Sequence, residues 1–322
     1  MTPRRLALGL LAGPFLLPRA AAAQSWPTRP LRLVVPYAPG GVTDQLGRAM
    51  AEILARELGQ PVVVENRPGG NTVIGTQAVA QSAPDGQVLL MASGASMVVN
   101  PLLMRRLPYH AERDLTLLSV AVETPLVMVV GPQLPARSPG EFAALARQRP
   151  MNVASVGVGN PIHLAAELFA LGAGIELQNV VYPGSAPALT ALLAGDVQVM
   201  FDVVLTALPF IRDGRLRALG VTTRARLDVL PEVPTIAESG FPGYEATTWF
   251  GIAAPRGLPE AAEARLRAAL AAVQADAAFR ARFGGLGLVV QPPRDAPALA
   301  ALLAEERARW GGLIRQRGIV LE

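Results

Sequence analysis

The sequence predicts an α/β protein built on parallel β-sheet, and three observations carry that prediction. From Leu31 onward, short β-rich apolar runs alternate with stretches of helical periodicity, the pattern of strands laid side by side with helices on their faces. The alternation restarts after Pro132 as a second unit. In both units glycine-bearing loops stand where strands give way to helices, the edge at which open α/β sheets hold ligands.

Taken in order, residues 31–36 read as a buried strand, and Leu46, Met50, Ile53, Leu54 and Leu58 then recur at helical spacing up to Gly59. Residues 61–65 form a second strand, 72–81 a second helix and 87–92 a third strand. After Pro132, Ser138-Pro-Gly-Glu141 is a capping box with proline at the first helical position, predicting a helix to about Arg149. Strands at 151–156, 178–182, 197–202 and 216–222 follow, with helices from Pro161 and over 186–194 between them. The last third is helical, 259–275 and 296–317, with Leu299, Leu302, Leu303, Trp310 and Leu313 largely on one face. This pattern fits two domains and one elongated sheet equally well, and it contains no internal repeat of a solenoid.

Composition narrows the chemistry. The chain has 322 residues, 51% hydrophobic and 17% charged, enough for about two domains of roughly 150 residues and too apolar for extensive disorder. It has no cysteine and no lysine, so all 29 basic residues are arginine. Disulfides, thiolate nucleophiles, Walker-A loops and lysine Schiff bases are therefore excluded. His110 and His163 are the only histidines, and no metal or cofactor is expected. The sequence pI of about 10.2 reflects arginine chemistry: without Arg4, Arg5 and Arg19 the balance is 26 basic against 25 acidic. No basic run with interleaved aromatics occurs, so no nucleic-acid partner is expected.

The first 23 residues read as a basic start, an apolar stretch over 6–17 and the small-residue ending Ala20-Ala-Ala-Ala23. That is a secretory signal peptide with cleavage after Ala23, and it predicts a soluble periplasmic protein. Arg4-Arg5 leaves Sec and twin-arginine export both open.

Three strand-to-helix loops are candidate binding elements. Pro36-Tyr-Ala-Pro-Gly-Gly-Val-Thr-Asp44 offers the backbone N–H groups of Gly40 and Gly41 and the positive end of a helix, a combination that favours a carboxylate or phosphate. The competing reading is a tight turn with Asp44 as a mere N-cap. Ser155-Val-Gly-Val-Gly-Asn-Pro-Ile-His163 repeats the arrangement with Asn160 as N-cap, and lacks the third glycine of a dinucleotide fingerprint. Tyr182-Pro-Gly-Ser-Ala186 is the third, where Ser185 either caps the next helix or donates to a ligand. Asp202 ends a strand facing the same region. His163 and Glu167 have i,i+4 metal-ligand spacing without a third ligand, and His163 is better read as a loop-fixing or ligand-orienting hydrogen bonder. No Gly-x-Ser-x-Gly elbow occurs.

Read together, Trp26-Pro-Thr-Arg-Pro30, the 36–44 loop, Val62-Val-Val-Glu-Asn-Arg-Pro-Gly69, Pro84-Asp-Gly86, Asn100-Pro101 and Leu107-Pro-Tyr109 resemble the Bug family of extracytoplasmic solute receptors. The match continues through His163-Leu164, Pro187-Ala-Leu189, Gly214-Arg-Leu-Arg-Ala218, Val233-Pro-Thr235 and Trp249-Phe-Gly251. The resemblance implies a periplasmic binding protein fold of type II, in which two α/β lobes, 24–125 with 250–322 and 126–249, are crossed twice by the chain and enclose a ligand cleft. It further implies a monomer that binds a small carboxylic acid and passes it to the membrane subunits of a tripartite tricarboxylate transporter. The ligand-facing residues so implied are Tyr37, Pro39, Gly40, Gly41, Thr43, Asp44, Ser93, Ser155, Gly157, Gly159, Asn160, His163, Tyr182, Gly184, Ser185, Ala186 and Asp202. Val156 and Asn160 depart from the hydroxyl-rich pattern of relatives, so the resemblance names no one acid. A receptor serving a sensor kinase and an exported enzyme are the competing readings; the second lacks a nucleophile-base pair.

Overall fold

The computed structural model describes residues 26–321. The first half of the chain builds β1 (Leu31–Val35), α1 (Val42–Leu58), β2 (Val62–Asn66), α2 (Val73–Ala80) and β3 (Val88–Ser93), followed by a π-helical turn (Ala95–Val99), α3 (Asn100–Leu103), α4 (Ala111–Asp114) and the long strand β4 (Leu115–Val130). Next come α5 (Pro139–Gln148), β5 (Met151–Ser155), α6 (Pro161–Ala173), β6 (Leu177–Val181), α7 (Ser185–Ala194), β7 (Val199–Val203), α8 (Val204–Arg212) and β8 (Arg217–Val221). The chain then returns through β9 (Thr247–Pro255) to α9 (Glu260–Ala275), α10 (Ala277–Gly284), β10 (Val289–Val290) and α11 (Ala296–Arg317).

Of the two arrangements the pattern allowed, the strands form one continuous sheet. Its path runs β2-β1-β3-β9-β4-β7-β5-β6, with β8 and β10 also on β4. The strands β1, β2 and β3 are parallel, as are β5, β6 and β7, which is the predicted βαβ wiring in each half. What joins them is β4. Its sixteen residues reach about 50 Å at roughly 3.3 Å per residue. Residues up to Pro125 pair antiparallel with β9, and from Leu126 onward β4 pairs with β7 and β8. Pro125 supplies no N–H to a ladder, so the exchange of partners falls where a donor is already missing. Thr222 then clamps Leu126, its hydroxyl lying 3.0 Å from both the Leu126 nitrogen and the Leu126 oxygen.

Local signals act as predicted at several helix ends. Ser138 accepts from the Glu141 N–H, and the Glu141 carboxylate reaches back to the Arg137 N–H at 2.7 Å. Gly59 closes α1 in the left-handed region at φ 73°, where its N–H bonds Ala55. Burial is organised in two clusters. One packs Leu46, Met50 and Leu54 of α1 against Leu266 and Leu270 of α9 and Phe279 and Phe283 of α10. The other spans both halves, from Val34, Leu90 and Leu117 to Phe142, Phe169 and Phe201, and continues beneath Trp310 and Leu313 of α11.

Several elements depart from the sequence reading, among them the short helices α3, α4 and α10 and the short strand β10. The strands β4 and β9 are invisible to periodicity, because β4 is buried along nearly its whole length and shows no alternation. The helix α8 contains Pro209, a residue that reads as a breaker. The signal-peptide reading falls on residues outside those described. Among the described residues no helix is long and apolar enough to cross a membrane.

Candidate functional site

The carboxyl end of β1 leads into a loop whose side chains are held from neighbouring strands. The half-buried Tyr37 donates its hydroxyl to Ser93 Oγ at the end of β3, 2.9 Å away; burial pushes the phenol up to about 12, against the opposing bond to Ser93. Gly40 takes φ 84°, a value that favours glycine, and Gly41 is the N-cap of α1 with extended backbone. No side chain caps this helix start, so the first N–H groups of α1 remain available to an acceptor. Pro39, Gly40 and Gly41 are exposed, while Thr43 and Asp44 are buried.

Asp44 is not the N-cap. It sits in the first turn, and its carboxylate accepts from the Gly40 N–H (2.9 Å), from Asn66 Nδ2 (3.0 Å) and from Arg48 one turn on. Burial alone raises its pKa, yet these donors outweigh it and hold the group below the ordinary carboxylate range. Asn66 also donates to the Tyr37 carbonyl. The loop is thus tied to the ends of β2 and β3, and its one acidic group is neutralised in place. Sequence reasoning passed over Arg48 and Asn66 as braces; the i,i+4 spacing of Asp44 and Arg48 was the available signal.

In the second half, three loops gather at the carboxyl ends of parallel strands. Tyr182 N–H donates to the Ser155 carbonyl at 2.8 Å. The Ser155 hydroxyl is buried without a hydrogen-bond partner, which is uncommon for a native polar group. Gly157 and Gly159 have φ 138° and 74°. Asn160 caps α6 by accepting from Ile162 N–H, so this helix start is closed. His163 is buried and fixes the loop by accepting the Gly159 N–H at Nδ1, 3.2 Å.

Ser185 corrects a further expectation, for it caps nothing. Gly184 is the N-cap of α7 and contributes no side chain, whereas the Ser185 hydroxyl donates to Asp202 at 2.6 Å. Thr206 donates to the other Asp202 oxygen. Burial raises the Asp202 pKa in spite of these bonds. Ala186 is exposed beside the open start of α7.

Two clusters result, one of Tyr37, Gly40, Gly41, Asp44 and Ser93, the other of Ser155, Tyr182, Ser185 and Asp202. No hydrogen bond among the described residues joins them. Chemically they offer backbone N–H groups and hydroxyls. Ser185 has an acid partner but no histidine, and His163 with Glu167 lacks a third metal ligand among the described residues.

Comparison with known proteins supplies the context. A family profile described as "Tripartite tricarboxylate transporter family receptor" matches residues 46–319. The chain belongs to this family. The BugT protein of Bordetella pertussis (strain Tohama I) is 36% identical over 329 residues, covering 100% of this chain and 99% of BugT. Among solved structures, R. palustris Rpa4515 with adipate superposes with a TM-score of 0.81 at 33% identity, covering 92% of this chain and 99% of that one. MatC from Rhodopseudomonas palustris with bound malate gives 0.77 at 33% identity, with 90% and 100% covered. Members of the TctC family are periplasmic solute-binding receptors, and the α/β fold of this chain superposes on these neighbours.

Proposed function

We propose that this chain is exported to the periplasm, captures a small carboxylic acid between two lobes, 24–125 with 250–322 and 126–249, and delivers it to the membrane subunits of a tripartite tricarboxylate-type transporter. The observation that carries the reading is the uncapped start of α1 on a loop whose own carboxylate, Asp44, is already neutralised. An unsatisfied helix N-terminus attracts an anion. The acid docks there through the N–H groups after Gly41, and the loops of Ser155–His163 and Tyr182–Ala186 close over it. The buried Ser155 hydroxyl, lacking a partner, supplies a further hydrogen bond. Carboxylates bound to two neighbours, adipate and malate, support the ligand class. Closure brings donors from both lobes onto one ligand, so binding shifts an open-closed equilibrium, and the closed form is what the membrane subunits engage.

Thermal unfolding of protein that has been denatured and refolded to remove carried ligand tests this against mono-, di- and tricarboxylates. A ligand at about 100 times its Kd adds roughly 2.7 kcal/mol, so one acid should raise Tm clearly with no product formed. No shift across the panel would refute the ligand class.

A further inference from the structure

The α6 and α11 helices lie on opposite sides of the proposed lobe division, and one arginine binds them together. Arg317, in the last turn of α11, donates from Nε to Glu167 of α6 and grips Glu176 with its two terminal nitrogens at 2.9 and 2.8 Å. Glu167 is buried, and its second oxygen lies 3.6 Å from His163 Nε2. Because His163 Nδ1 accepts the Gly159 N–H, the proton of the neutral ring sits on Nε2, facing Glu167. The series therefore runs from a loop glycine through imidazole, carboxylate and guanidinium to the C-terminal helix.

A second contact reaches the same glycine from the same helix end. A Cβ on Gly159 would lie 2.1 Å from Leu103 Cδ1 and 3.6 Å from Leu321 Cδ1, and Leu321 N–H is bonded to the Leu103 carbonyl. Gly159 is thus held by a polar relay on one side and an apolar seat on the other. The relay is not solid core: a cavity of about 520 Å³ lies against it, lined by Val158, His163, Glu167, Arg317 and Val320 among others, so the loop has room to move if the grip fails. Buried ion pairs are poor sources of net stability, which favours a geometric role for this one.

We infer that Arg317 is a positioning residue for ligand capture, holding the Gly157–Asn160 loop in its ligand-facing conformation through Glu167 and His163. The inference rests on the receptor reading for its effect on affinity, while its effect on the loop is independent of any ligand. The charged groups facing His163 are Glu167 on its own helix and Arg317 from α11, with Glu176 reached through Arg317.

The test uses Arg317→Met, which keeps the apolar stem and removes the guanidinium, and Glu176→Gln, which alters only the largely exposed arm of the fork. Amide hydrogen exchange is read on peptides covering 157–163, with β5 and β7 as internal controls. Binding is titrated with malate and adipate. The inference expects exchange in the 157–163 peptide to rise at least tenfold in Arg317→Met and less in Glu176→Gln, with the control strands unchanged. Whichever acid the parent protein binds should bind the variants more weakly in the same order. Unchanged loop exchange in folded variants, or a uniform rise across the whole chain, would overturn it. If Arg317→Met fails to fold, Glu176→Gln decides on the same criteria. A parent protein that binds neither acid would count against the ligand reading, and the exchange result would still decide the role of Arg317.

Discussion

Gly41 and Asp44 divide the work of the first loop, and each division can be tested by one substitution. A Cβ on Gly41 would meet nothing nearer than the Ala38 carbonyl at 3.8 Å, and its φ of −73° is open to any residue. Gly41→Val should therefore cost about 1 kcal/mol at most, the preference for glycine over valine at an N-cap. It should nonetheless abolish carboxylate binding by crowding the helix start; unaltered affinity in calorimetry would remove this loop from the site. Asp44→Ala leaves the Gly40 N–H without its acceptor and takes one acceptor each from Asn66 and Arg48, with an expected loss of about 2 kcal/mol in urea unfolding and weakened binding. At this scale the sequence disclosed roles that depend on near neighbours. The Ser138 to Glu141 capping box and the Asn160 cap were legible because their partners lie within four residues. The brace from Asn66 to Asp44 and the bond from Ser185 to Asp202 span 22 and 17 residues, and no local rule reaches that far.

Among the elements, β4, β9 and α11 meet at a charged recess that periodicity could not reveal. Glu306 of α11 is buried and accepts the Trp249 indole N–H at 2.9 Å. It faces a cavity of about 280 Å³ whose walls include Glu123, Glu245, Glu305, Arg224, Arg294 and Arg309. Burial lifts its pKa to about 7, helped by Glu123 and Glu245 and opposed by Trp249 and Arg309. An acid whose pKa is raised on folding destabilises the native state as pH climbs from its unfolded value, near 4.5, through about 7. Glu306→Gln keeps an acceptor for Trp249 and removes that penalty. The variant should gain up to about 3 kcal/mol over the parent at pH 8 and less than about 1 kcal/mol at pH 5, given roughly 1.4 kcal/mol per pKa unit. Equal stability differences at both pH values in urea unfolding would contradict the assignment. His163 has the opposite slope: burial, chiefly, and Arg317 lower its pKa while Glu167 opposes them. Protonation is then resisted in the fold, and stability falls as pH drops below about 6.5. The missed strands share one cause, since a segment buried on both faces carries no alternation.

For the whole molecule, fold class was legible from the alternation of strands and helices, and its type from motifs scattered over the chain. The shared sheet was not, because β4 changes partners at Leu126 through pairings 69 to 94 residues distant. That strand carries the backbone from one α/β half into the other, and one of the two buried clusters spans both halves, from Val34 and Leu90 to Phe142 and Phe201. The central claim is that a carboxylate docks on the uncapped start of α1 and draws the second half over it. The most direct measurement is the ¹H–¹⁵N spectrum of the refolded protein, titrated with the acid that raises Tm most. Saturable shifts of the Val42 and Thr43 amides are expected together with those of 155–163 and 182–186, at one common Kd. Shifts confined to other regions, with these amides unmoved at saturation, would contradict it.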